Sequence, residues 1–183
     1  MKNITLSKIL VISLIILILA GAIFLITNQK ERYFKKIVFN NDNIIENATQ
    51  KKYLDTIVYS GLKILDIKNI TVIILPIGNA PILDLNPEIE LKAHIVYYLD
   101  KYYIFIDDIN REQALKVLSH ELIHLNQYYK GYLRVNNGVI EWHKKSYDGN
   151  NILYEDRLWE IDAFDKQDSL LNKIELQLFG TKK

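Results

Sequence analysis

Between Lys8 and Lys30 the chain carries no charge. Residues 9–27 are apolar almost without interruption (Ile-Leu-Val-Ile-Ser-Leu-Ile-Ile-Leu-Ile-Leu-Ala-Gly-Ala-Ile-Phe-Leu-Ile-Thr). As a helix this run spans about 28 Å, close to the hydrocarbon thickness of a bilayer. It shows no polar face, as a soluble core helix would. A single-pass membrane anchor over residues 1–29 is therefore expected. The rival reading is a cleaved signal peptide with Lys2 and Lys8 as its basic start. The apolar run, however, outlasts a typical signal core and continues past Ala20-Gly21-Ala22. The positive-inside rule sets Lys2, Lys8 and the amino terminus against Lys30, Arg32, Lys35 and Lys36. That is a near tie, tilted slightly toward a cytoplasmic C-terminal domain, so the side of the membrane stays open.

The rest of the chain is long enough for one core. Its charge is nearly balanced: the whole chain carries +1, and residues 30–183, without Lys2 and Lys8, carry −1. No basic surplus points to nucleic acid. With no cysteine, disulfides, thiolate zinc sites, iron–sulfur clusters and thiol catalysis are excluded. Residues 30–43 read as a juxtamembrane linker and 44–183 as a single α+β domain. Helical spacing over about 47–65 is followed by a short β-branched strand, Asn69–Leu75, which Pro76 stops. Residues 77–92 read as a loop. Ala93–Leu99 and Tyr102–Ile106 flank Asp100-Lys101 as a hairpin. A helix capped at Asp108 or Asn110 runs to Gly131. A second hairpin turns at Asn136-Asn137-Gly138, between 132–135 and 139–147, and a last helix covers roughly 156–176.

The capped helix contains His120-Glu121-Leu122-Ile123-His124. Residues four apart share a helix face, about 6 Å apart along the axis, so two imidazoles reach one Zn2+ at ~2.0–2.1 Å. Histidine ligates while neutral. The glutamate between the two takes a proton from water and passes it to a leaving amine, while the metal polarises the scissile carbonyl. The flanking residues 117–119 and 125–127 are uncharged, which keeps competing carboxylates away. A catalytic site needs a third ligand and an open position. Glu160, early on the last helix and three residues before Ala163, is the favoured candidate. His143 comes next, and Glu141, Glu155, Asp156, Asp162 and Asp165 remain open. Tyr154, Tyr147, His143 and Arg157 are candidates to stabilise an oxyanion, with Tyr154 preferred. Trp142 and Trp159 read as packing residues, and His94 as an ordinary strand residue.

His120-Glu-x-x-His124, then Trp142-x-x-x-x-Tyr147, Tyr154 and Leu158-Trp159-Glu160-x-x-Ala163 together resemble the small gluzincin-type zinc metallopeptidase-like proteins. The resemblance covers roughly residues 93–165. It implies a zincin-like minidomain: a strand and hairpin packed on the metal helix, a second hairpin, and a C-terminal ligand helix. It implies His120, His124 and Glu160 as zinc ligands, Glu121 as general base, and the strand Tyr102–Ile106 lining the cleft with an edge free for an extended peptide. Three positions depart from the pattern. Lys144 replaces a hairpin glycine, and Leu158 replaces the proline before Trp-Glu. Phe164 stands where larger thermolysin-like gluzincins place an aspartate against a zinc histidine, so Asp162 or Asp165 is left to support the ligands. The leading expectation is a membrane-anchored zinc hydrolase of a peptide or protein amide bond. The alternative is a catalytically inactive zinc-binding or tethered interaction module.

Overall fold

The computed structural model describes residues 36–39, 48–77, 92–107, 110–136 and 139–180. The apolar run 9–27 lies outside these residues. Among the described residues no helix is long and apolar enough to cross a membrane.

The architecture is α+β, with three helices and two small sheets. The elements are β1 (Lys36–Phe39), α1 (Ala48–Ile64), β2 (Thr71–Pro76), β3 (Ala93–Tyr98), β4 (Lys101–Ile106), α2 (Arg111–Tyr129), β5 (Leu133–Asn136), β6 (Val139–Trp142), β7 (Lys145–Asp148) and α3 (Leu158–Phe179). The first sheet has the order β1-β2-β4-β3. β1, β2 and β4 are parallel, and β3 closes the edge antiparallel to β4. β1 thus falls inside the stretch read as a linker, and α1 is the crossover that parallel pairing with β2 demands. β5, β6 and β7 form a separate antiparallel meander.

Alternation along the strands turns Val72, Ile74, Ile95, Tyr102, Ile104 and Ile106 into one core with Ile57, Leu62, Leu118, Leu122 and Ile174 of the helices. α1 lies close against α2 at Gly61, where a Cβ would stand 2.5 Å from Leu122 Cδ1. α3 packs on α2, with Ala163 fully buried in the core between them, as its small size on the Glu160 face led us to expect. Trp142 and Trp159 bury with Leu133 in a second cluster that joins the meander to the start of α3.

Three expectations are corrected. The β3–β4 turn is Leu99–Asp100, not Asp100–Lys101, and both turn residues have positive φ (47° and 58°), as a tight two-residue hairpin requires. Residues 139–147 are not one strand. They turn back at His143–Lys144, again with positive φ (48° and 67°). Lys144 therefore keeps the backbone conformation for which glycine is the usual residue. Third, Tyr102–Ile106 has no free edge, because β2 and β3 pair with it on either side.

Candidate metal centre

α2 is fixed locally at both ends. Asn110 accepts from the Gln113 backbone N–H at 2.9 Å, and the Gln113 side chain accepts from the Asn110 N–H at 3.3 Å, a full capping box. The helix ends before Gly131, whose φ of 68° reverses the chain. On the α2 face turned to α3, His120 Nε2 and His124 Nε2 lie 3.0 Å apart. Glu160 Oε2, from the first turn of α3, is 3.2 Å from each. Tetrahedral ligands at zinc bond lengths stand about 3.3 Å from one another. Side-chain exposure is 12% for His120, 8% for His124 and 12% for Glu160.

The hydrogen bonds behind the imidazoles fix what faces the centre. Gln127, 1% exposed, donates its Nε2 to the Trp159 carbonyl and to Asp162 Oδ2, both at 2.9 Å. Its Oε1 must then accept from His124 Nδ1–H, at 2.8 Å. His120 Nδ1 stands 3.2 Å from Gln167 Oε1, which makes it a donor too. In the neutral imidazoles both Nε2 lone pairs therefore converge with a carboxylate oxygen. Such a cluster repels itself unless a cation, proton or metal, lies within it. In the metal-free protein that cation is a proton. Burial disfavours it on His124, but the hydrogen bond and charge of Glu160, with Glu121 and Gln127, outweigh burial and raise the pKa to about 9. Burial likewise pushes Glu160 upward, and hydrogen bonds with His120, His124 and Tyr154 overcome it and hold the carboxyl well below the usual range.

Glu121, 6% exposed, accepts from the Ile95 backbone N–H on β3. Burial is the main cause that raises its pKa, against the lowering influence of His124 and His120. Tyr154, on the short 3-10 turn Tyr154–Asp156, donates its hydroxyl to Glu160 Oε2 at 2.8 Å. Burial and the Glu160 charge raise the phenol, so it stays protonated. Arg157 caps this wall. Its guanidinium donates to the Gly149 carbonyl at 3.3 Å and lies 5.5 Å from the Tyr154 ring centroid.

These groups line a cavity of about 340 Å³ whose other wall is β3 with Leu133, Val135 and Ile140 of the meander. The cleft strand is thus Ala93–Tyr98, the sheet edge, rather than Tyr102–Ile106. The Lys92 carbonyl accepts from Asp107 N–H, so alternation leaves the Ala93, Ile95 and Tyr97 backbone groups facing away from β4.

The structure brings His120, Glu121, His124, Tyr154 and Glu160 together. His143 is not among the converging groups. It is exposed at its turn, stacked on Tyr132 at 4.5 Å. Asp162 contributes one step back, through Gln127, and Asp165 is exposed. Phe164 lays its ring 4.6 Å from that of His120. His94 lines the cavity after all, kept neutral mainly by burial, with a pKa near 4. No sequence signal marks Gln127 or Gln167. Their positions, three residues after His124 and seven after Glu160, lie on the ligand faces of the two helices.

No family model matches the chain, and no curated protein and no solved structure matches it either. Among the described residues the group able to hold a metal ion is His120, His124 and Glu160.

Proposed function

We propose that the chain is a membrane-anchored, zinc-dependent hydrolase of the metallopeptidase type, with a zincin-like minidomain similar to the small gluzincin-type proteins. One observation carries the reading: two imidazole nitrogens and a carboxylate oxygen from two helices meet within 3.0–3.2 Å in a cavity that also holds a buried glutamate. Two imidazoles and one carboxylate are a donor set that suits zinc. Bound there, zinc supplies a Lewis acid for the scissile carbonyl and lowers the pKa of water.

The protein's own groups supply the rest. Glu121 takes the proton of the attacking water and returns it to the leaving amine. Its upward-shifted pKa brings it closer to the range in which one group does both. Tyr154 keeps its proton, and its hydroxyl, which bonds Glu160 in the substrate-free structure, turns to the oxygen that gains charge. Gln127 and Gln167 hold the imidazoles in the ligating tautomer. The outward backbone groups of Ala93 and Tyr97 on β3 pair with an extended substrate backbone, which places one amide over the centre, while the Ile95 N–H holds Glu121.

Glu121→Gln tests this. The variant should bind zinc as the parent does and lose roughly 10²–10⁴-fold of its turnover on a mixed peptide library. Unchanged turnover, or loss of zinc together with activity, contradicts the assignment.

A further inference from the structure

The chain joins the folded domain at a definite place. β1 begins at Lys36, and the sheet register carries that level across to the opposite edge. Lys36 pairs with Thr71, Thr71 with Lys101, and Lys101 with Tyr98. Three strand spacings separate β1 from β3, about 14 Å. The Leu99–Asp100 turn therefore projects from the same end of the sheet at which the chain arrives from its apolar run. α2 finishes at this end too. The Tyr128 ring lies 6.1 Å from that of Tyr97, and Tyr129 and Lys130 share a groove with Tyr97.

This end carries an apolar surface. Leu99 is 71% and Tyr98 61% exposed, and Tyr97 and Tyr129 are exposed at the same end. Single exposed apolar residues are ordinary, but a cluster at one end is not. Lys101, Lys130 and Arg134 are exposed among the rings. Asp100, at the turn, accepts the Tyr97 hydroxyl at 2.8 Å. Tyrosine rings, a leucine at the tip and exposed cations are what the headgroup region of a bilayer accepts. Only residues 28–35 separate the apolar run from β1, and eight residues reach at most about 29 Å.

We propose that this end of the domain rests on the bilayer crossed by residues 9–27, with Leu99 and Tyr98 at the boundary between headgroups and acyl chains. The substrate is then polypeptide lying along that same membrane surface. A groove of about 630 Å³ at this end, walled by Tyr97, Tyr129 and Arg134, shares Tyr97, Tyr128, Leu133 and Val135 with the metal cavity. The groove thus adjoins the metal cavity on the side where the membrane would lie. The inference rests on the anchored-hydrolase reading above for its tether and its cleft.

The absence of cysteine allows single labels in the full chain. Leu99→Cys and Phe179→Cys each receive a nitroxide, and the protein is reconstituted in phosphatidylcholine–phosphatidylglycerol vesicles. Phe179, 65% exposed, is the control at the opposite end. It lies one turn past Glu175, whose charge acts on Tyr53, and the Tyr53 hydroxyl bonds the carbonyl of Arg111 at the start of α2. Power saturation should show the Leu99 label more accessible to oxygen than to a water-soluble nickel chelate, and the Phe179 label the reverse. A Leu99 label as aqueous as the Phe179 label, in protein that resists carbonate extraction, overturns the docking face and leaves the anchor standing. Release by carbonate overturns the anchor, and the docking face with it. Dipolar broadening between Leu99 labels that grows with protein density assigns the patch to a second copy of the chain, and also overturns the proposal.

Discussion

Replacing Gln127 by methionine asks whether the imidazoles are held from behind as described. Methionine keeps the length of the side chain and removes all three of its hydrogen bonds. His124 Nδ1–H is then left without its acceptor in a buried position, at a cost of about 1–3 kcal/mol. The bonds to the Trp159 carbonyl and to the charged Asp162 are lost as well, worth about 1–2 kcal/mol more, since Asp162 keeps Lys166. The metal-free protein should therefore lose about 2–5 kcal/mol, or roughly 4–20 °C in melting temperature for a chain of this size. Zinc affinity should fall about 10–100-fold, because His124 is no longer fixed in its ligating tautomer. Circular-dichroism melting of the full chain in detergent, with and without zinc, reads the first quantity. Competition against a chromophoric chelator reads the second. Gln127→Glu separates the two effects: it keeps an acceptor for His124 but sets a carboxylate against Asp162, so stability should drop while zinc affinity falls less than in the methionine variant. A Gln127→Met protein that melts within about 2 °C of the parent and binds zinc within about twofold would refute the reasoning.

Tyr154→Phe should retain zinc and lower kcat by about 10²-fold with little change in KM, since the donor is needed only as charge develops; steady-state kinetics on a cleaved peptide decide this. Lys144→Gly should raise stability by about 0.5–1 kcal/mol, because the backbone there has a φ of 67°; denaturant unfolding measures it, and a destabilised variant contradicts it. The metal-free protein should be pH-sensitive on the alkaline side. His124 has a folded pKa of about 9, above its ordinary 6.5, so its contribution is complete below 6.5 and is lost as pH rises through 9. Its melting temperature should decline over that window, and zinc binding near pH 8 should release a proton measurable by calorimetry in buffers of different ionisation enthalpy.

The convergence of His120, His124 and Glu160 was legible because two local rules coincide. A helix brings His120 and His124 onto one face, and ligation restricts the residue types. Glu160 followed from the same period on a second helix with an alanine three residues on. The capping box at Asn110 and the stop at Gly131 are equally local. What escaped the sequence depends on distant partners or on residues without a signature. The four residues of β1 sit in a basic, asparagine-rich stretch and become a strand only by parallel pairing with β2. A hairpin pattern does not say which of its two strands meets β2, so the cleft edge was assigned to Tyr102–Ile106 instead of Ala93–Tyr98. The turns at Leu99–Asp100 and His143–Lys144 take positive φ without glycine, which removes the usual signal. Glutamines are ordinary helix-surface residues, so nothing marked Gln127 and Gln167 until their faces were seen to meet the histidines.

The central claim is that His120, His124 and Glu160 gather one zinc ion, and zinc stoichiometry with X-ray absorption at the zinc edge tests it most directly. The full chain, loaded and dialysed, should hold one zinc per chain with two imidazole nitrogens at ~2.0–2.1 Å and oxygen completing the shell. His120→Ala should hold none under the same dialysis. Metal-free wild-type protein after loading, or a zinc shell unchanged in His120→Ala, would contradict the account.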